Sequence, residues 1–338
     1  MNRGSATIRG LLWTAPWWLG FLLFLAIPMG FSFYISFCDY PLLQPPVFTG
    51  AANYRALAHD ATFHKVIGNT FIYAALAIPL GTILAILLAV LLNAKVRGQA
   101  FFRACVFVPT IVPLVAVGVV WMWMLNAEAG LVNQAVRPVG RLALPVAEKI
   151  DEEAKRLSNI VHEAIHGCEI EDAPELPIVG VARDMAEGPA WLDRPFWAML
   201  ALVLIAMWML GSPVVIYLAG LQDIPVSLYE AAQLDGASAF RRFWHVTLPG
   251  LSPVILFNVI VGIIATWQIF ALPYVMWRSR AGPEESTYFY TMYLYDNAFK
   301  YLKMGYASAM AWIQLLIILA LTGLVFLASR RAVHYRGA

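Results

Sequence analysis

The sequence predicts an all-α membrane protein with six transmembrane helices, and three observations carry that prediction. Of the 338 residues, 61% are hydrophobic and 13% charged, with a mean hydropathy of +0.69. An average soluble domain is roughly 45–50% apolar and 25% charged. Six apolar runs (11–37, 66–92, 104–125, 196–218, 252–275 and 306–328) each reach the ~20 residues needed to cross ~30 Å of hydrocarbon. None of the six contains Asp, Glu, Lys, Arg or His.

The first run follows a short basic segment carrying Arg3 and Arg9 and has the outline of a signal peptide. It is too long for one, holds Pro16 and Pro28, and lacks a small-x-small cleavage site, so it reads as a retained span. Trp13, Trp17, Trp18, Trp121, Trp123, Trp277 and Tyr306 near run ends suit interfacial belts. With the N-terminus inside, Arg97, Arg103, Arg241, Arg242, Arg330 and Arg331 fall on the cytoplasmic side, an excess that favours cytoplasmic termini. The expected organisation is then a cytoplasmic segment 1–10, helices 1–3 over 11–125, and an enlarged extracytoplasmic loop over 126–195. Helices 4–6 follow over 196–338, with a cytoplasmic loop at 219–250.

A net charge of +2, without a basic cluster, excludes nucleic acid as a partner. The cysteines, Cys38, Cys105 and Cys168, form no CxxC; free thiols are the default, with a Cys38–Cys168 bridge as the alternative. Proton-coupled carriers place ionisable groups inside the bilayer, and such groups are costly enough to be functional. Their absence argues against a proton relay and against a strongly charged solute neutralised at mid-membrane. The polar and aromatic residues that remain for solute contact include Asn69, Tyr73, Asn258, Trp267, Gln268 and Gln314. Amides and flat rings suit an uncharged, polyhydroxylated solute. The same residue types also serve as packing glue between helices.

Between the fourth and fifth runs lies LQDIPVSLYEAAQLDGASAFRRFWHVTLP, residues 221–249. Pro225 suits a first helical turn with Asp223 as cap, Gly236 suits a left-handed terminator, and a second short helix is expected from Ala237 toward Val246. The spacing Glu230-Ala231-Ala232, Gly236, Val246, Leu248-Pro249 resembles the EAA loop of permease subunits from binding-protein-dependent ABC importers. The likeness to the sugar-transporting branch extends to FTGAANY at 48–54, Asn69-Thr70, the NAKVRGQAFFR stretch at 93–103, Val108-Pro109 and Gly130-Leu131-Val132-Asn133. It continues in LAGLQDIP at 218–225 and GYASA at 305–309. It departs after the fifth run, where FALPY at 270–274 and RSRAGP at 278–283 stand in place of FDxxYxxTxGGP.

The resemblance implies a subunit that carries a sugar or related polyol together with a second permease, an ABC ATPase dimer and an extracytoplasmic solute-binding protein. It would lie in the cell (inner) membrane among lipid. It also implies that Glu230, Ala231, Ala232, Asp235, Gly236, Leu248 and Pro249 contact or shape the ATPase-coupling elbow. No GxxxxGK[ST] pattern occurs, so ATP hydrolysis belongs to a separate chain and no cofactor is expected. A stand-alone secondary transporter is the alternative reading.

Residues 139–189 exceed the usual connection between helices 3 and 4. Val146, Ile150, Leu157, Ile160, Val161, Ala164 and Ile165 recur there at helical spacing, an amphipathic helix. It contains His162-Glu163-Ala164-Ile165-His166, a formal HExxH, and two histidines four apart can share a zinc ion. A helical wheel places both histidines on the polar face, and an insert of this size cannot bury them beneath a cleft. His162 and His166 read as a solvated face, with a metal site or a membrane metallopeptidase as the lesser readings.

Overall fold

The structure, a computed structural model, describes residues 13–94, 97–166, 174–278 and 281–329; for residues 160–166 it describes the backbone alone. Helices dominate. The only strands among the described residues are β1 (Cys38–Asp39) and β2 (Val47–Phe48), paired antiparallel with Cys38 opposite Phe48. The chain divides into two units: Met1–Ala74, Ile255–Ile269 and Phe289–Ala338 form one, and Ala75–Val254 with Phe270–Tyr288 form the other.

Four helices are long and apolar enough to cross a membrane, and two bent pairs bring the number to six if each pair is one span. α1 (Trp13–Ile35) contains a π turn at Leu22–Ala26. After α2 (Ala52–Ala58) comes α3 (Ala61–Asn93). The expected straight third span is instead α4 (Gln99–Phe107), a 3₁₀ turn at Val108–Ile111 and α5 (Leu114–Met124), bent by 102°. Proline explains the bend: Pro109 and Pro113 each lack an N–H, and Val112, preceding Pro113, is extended at ψ 131°.

α6 (Leu131–His166) and α7 (Pro177–Glu187) form the enlarged loop. The expected fourth span is α8 (Pro195–Trp208) and α9 (Gly211–Gln222), bent by 46°. A straight helix would need an N–H from Pro213 to the Met209 carbonyl, and the helix breaks at that residue. The elbow holds α10 (Val226–Leu234) and α11 (Ala239–Arg242), and α12 (Leu248–Trp267) is followed by α13 (Ala271–Met276). α14 (Tyr290–Tyr295) and α15 (Met304–Ser329) complete the chain.

In the first unit Asp60 organises three elements. Its Oδ1 accepts the N–H groups of Thr62 and Phe63 at the start of α3, at 2.9 and 3.2 Å. Its Oδ2 accepts the hydroxyls of Tyr293 and Tyr306, both at 2.5 Å. Burial alone would push this carboxyl up, but the two phenol donors and two backbone donors outweigh it and hold the group below the usual carboxylate range. Gly305 fits tightly against β1, since a Cβ there would stand 2.0 Å from the Cys38 carbonyl oxygen.

In the second unit α6 and α7 pack as a hairpin around Ala147, Val179 and Ala182, with Ala143 and Leu144 beside them. Contact is close because Gly140 presents no side chain: a Cβ would meet the Ala186 nitrogen at 2.2 Å. The apolar stripe read from the sequence is not the face in this contact. Val146, Ile150 and Leu157 are exposed, and the small residues on another side of α6 make the contact. Asn133, fully buried, anchors the base: its amide donates to the carbonyls of Ala127 (2.9 Å) and Pro189 (3.2 Å) and accepts from Trp191 Nε1 at 2.6 Å. Asp151 accepts the Leu176 N–H at 2.7 Å and pairs with Lys155 at 2.9 Å. Cys38 is buried and Cys105 exposed, while Cys168 lies outside the described residues.

Candidate functional site

Of the residues singled out by sequence, those of the elbow form one element of the second unit, and Trp267 and Gln314 meet in the first. The elbow lies between α9 and α12. Asp223 closes α9, its N–H donating to the Ala219 carbonyl, and Pro225 occupies the cap position of α10 with extended backbone at ψ 131°. The reason is that α9 runs to Gln222, so only Ile224 and Pro225 remain to turn the chain. Ile224 is buried, and Gly250 approaches it so closely that a Cβ would lie 2.9 Å from Ile224 Cδ1. Gly220 meets Val254 in the same way, at 2.9 Å. The elbow is therefore pinned at its root.

At the tip, α10 ends in a Schellman arrangement. Gly236 has φ +73°, its N–H donates to Gln233 at 3.0 Å, and the Ala237 N–H donates to Ala232 at 2.9 Å. Ser238 then caps α11, accepting the Arg241 N–H at 3.4 Å. The second elbow helix does not stop near Val246. It passes through a π turn at Phe243–Thr247 directly into α12. Pro249 accounts for the widened turn, because it offers no N–H to the His245 carbonyl and its ring would crowd that oxygen. Tyr229 Oη and Thr247 Oγ1, 3.0 Å apart, tie α10 to this turn.

Glu230, Ala231, Asp235 and Gly236 are exposed; Ala232, Leu248 and Pro249 are half-buried. Glu230 makes no ion pair or hydrogen bond among the described residues. Around it stand exposed apolar side chains, with Leu234 at 89%, Phe240 at 72% and Val226 at 68%. Val226 and Leu234 flank Glu230 on its own helix at four residues to either side, so an exposed carboxylate lies between two exposed apolar side chains.

Trp267 and Gln314 lie in the first unit, where α12 breaks. Trp267 is buried between the rings of Phe71 and Tyr290. Its carbonyl, left free by the end of α12, accepts Gln314 Nε2 at 2.6 Å and Thr291 Oγ1 at 3.1 Å. Tyr290 in turn donates its N–H to Thr70 Oγ1 and its hydroxyl to the Met310 carbonyl. Gln314 and Trp267 thus hold the break together, and Tyr73 is buried against Phe289. Gln268 is exposed, and Asn69 and Asn258 are half-buried. Sequence reasoning passed over Thr291 and Tyr290, which lie outside the apolar runs, and Tyr229 and Thr247. The last two were visible as polar residues at unassigned positions of the elbow motif. The side chains of His162 and His166 lie outside the described residues.

Residues 65–335 match the family described as binding-protein-dependent transport system inner membrane component. The chain belongs to this family. As a binding-protein-dependent permease it is 32% identical over 330 residues to the probable ABC transporter permease protein YesP of Bacillus subtilis (strain 168), covering 97% of this chain and 92% of that protein. To the lactose transport system permease protein LacF of Rhizobium radiobacter it is 29% identical over 286 residues, covering 84% and 81%. Its fold is that of a chain in the crystal structure of a bacterial ABC transporter involved in the import of the acidic polysaccharide alginate, with a TM-score of 0.68 at 19% identity over 98% of this chain and 99% of that one. The permease fold gives the elbow its place: a short helical turn rooted between two apolar helices.

Proposed function

We propose that this permease carries a sugar or related polyol, paired with a second permease, driven by a separate ABC ATPase dimer and supplied by an extracytoplasmic solute-binding protein. The exposed elbow carries the proposal: a glycine-terminated helix presenting unpaired Glu230 beside Leu234 and Phe240, rooted at Ile224 and Gly250 against α12. ATP-driven closure of the ATPase dimer moves this elbow, and the spans alternate between inward- and outward-open states. Alternation requires that ATP and the loaded binding protein favour different states. The chain spans the membrane six times, each bent pair being one span, with both termini cytoplasmic and the loop 126–195 outside. Relatives named for lactose, sulfoquinovosyl glycerol and diacetylchitobiose support a carbohydrate solute. Asn69, Tyr73, Asn258, Trp267, Gln268 and Gln314 are the residues offered to it, and Trp267 and Gln314 also shape the break beside Gln268.

Uptake of labelled oligosaccharides by proteoliposomes holding the complete complex tests this reading. Transport should require ATP and the binding protein, and Gly236→Asp should abolish it while the permease still inserts. Transport by the purified permeases without the ATPase would point to a secondary carrier instead.

A further inference from the structure

The second unit holds a cavity at the end of α13. Its volume is about 490 Å³, and Asp193, Met276, Trp277, Arg278 and Pro283 are among the residues that line it. Small-molecule sites span ~300–1,000 Å³. A smaller cavity of about 220 Å³, beside Asn126 and Glu128, shares Leu192 and Asp193 with it.

The wall is held together from two distant stretches of sequence. Trp277 Nε1 donates to the Leu192 carbonyl at 2.9 Å, which fixes the indole against the turn before α8. That turn is held in its own right. The N–H groups of Asp193 and Arg194 both donate to the Ala190 carbonyl at 3.2 Å, and Arg194 pairs with Asp184. Past the end of α13, Gly282 is closed in by Thr287, which leaves no room for a Cβ. Arg278 takes φ +49°, a strained conformation of the kind that gathers at ligand sites. It also belongs to RSRAGP, the stretch in which the sequence departs from the sugar-permease pattern.

Two opposite charges line this cavity without pairing. Asp193 and Arg278 are exposed, and neither side chain makes a hydrogen bond or ion pair among the described residues. An anion would be repelled by Asp193 and a cation by Arg278, so the pair selects against net charge of either sign. A carboxylate accepts hydroxyl protons, a guanidinium donates to hydroxyl oxygens, and the half-buried indole beside them offers a flat apolar face. A sugar ring presents the matching surfaces: hydroxyls around its edge and C–H groups on its faces.

We infer that this cavity is an outer subsite for one ring of the transported sugar. The ring lies on Trp277, and Asp193 and Arg278 hold its hydroxyls. The inference rests on the function and topology proposed above, which set the start of α8 and the end of α13 at the extracytoplasmic mouth, where solute arrives.

Saturation-transfer difference NMR on the complete complex in nanodiscs, without binding protein, tests the subsite. The probe is a mixture of lactose, diacetylchitobiose and arabino-oligosaccharides, sugars for which relatives are named. Saturation should pass to the ring protons of at least one of them. Asp193→Asn and Arg278→Gln, each a change at an exposed side chain, should weaken that sugar's apparent affinity about fivefold. Trp277→Leu should remove most of the transfer, and Trp277→Phe should keep part of it. In proteoliposomes with binding protein and ATP, Asp193→Asn should raise KM more than it lowers the maximal rate. Affinity unchanged in both Asp193→Asn and Arg278→Gln, with wild-type uptake intact, would overturn the subsite and leave the transport reading standing. So would variants that lose capture of the binding protein while sugar transfer is unaltered, which would make this wall a protein contact. Neither binding nor ATP-dependent uptake of any sugar in the mixture would overturn the inference and the reading beneath it together.

Discussion

The backbone N–H of Ala237 reaches back 2.9 Å to the carbonyl of Ala232, and this bond closes the elbow. It forms only because Gly236 between them takes φ +73°, a conformation that side chains disfavour. The second alanine of the EAA triplet therefore has a backbone role, while Glu230, two residues earlier, points its carboxylate outward.

Gly236→Ala tests that division of labour. Nothing lies within 4 Å of a Cβ at this position, so the cost is backbone strain alone, about 1–2 kcal/mol. Co-purification of the ATPase should weaken, and Gly236→Asn, better tolerated in the left-handed region, should weaken it less. Glu230→Gln should lower co-purification without any change in the thermal melt of the permease.

The break after α12 predicts a different signature. Gln314→Leu leaves the buried Trp267 carbonyl to Thr291 alone and should destabilise by about 0.5–1.5 kcal/mol, read as a lower melting temperature in detergent. Combined with Thr291→Val, the loss should be non-additive, since both side chains serve one acceptor.

Asn133→Leu should loosen the loop hairpin at its base. The change strands Trp191 Nε1 and the Pro189 carbonyl, each at a cost of about 1–3 kcal/mol where it stays buried, and leaves the Ala127 carbonyl to Arg137 Nη2 at 3.1 Å. Limited proteolysis should then cut between α6 and α7 faster than in the wild type, with little change elsewhere.

The same hairpin carries a pH signature. The Leu176 N–H and Lys155 hold the Asp151 carboxyl below its ordinary value. A carboxyl lowered on folding contributes stability above its unfolded pKa, about 3.9, and loses it as pH falls through the folded value. Protease resistance of the hairpin should be flat from neutral pH to about 5 and fall below about 4. Asp151→Asn should be weaker at neutral pH and lack that fall.

Much of this architecture was legible in the sequence because lipid imposes simple rules. Uncharged runs of spanning length became helices, and Gly236 sits where only glycine is comfortable. The breaks were signalled too, by Pro109, Pro113 and Pro213, but composition counts a bent pair and a straight span alike. What stayed hidden was tertiary. The apolar spacing of Val146, Ile150 and Leu157 suggested a packing face, yet Gly140 and Ala147 allow closer approach and form the contact. That Gln314 also caps the break depends on Thr291 and Trp267, distant in sequence, meeting it at one carbonyl.

Cysteine cross-linking at the elbow probes the central claim most directly. In a Cys105→Ser/Cys168→Ser background, Leu234→Cys in membrane vesicles with the complete complex should form a disulfide with cysteines scanned over the ATPase surface, and the yield should change when ATP is added. A Leu234→Cys that instead reacts with impermeant reagent from outside intact cells, and never links to the ATPase, would contradict the account.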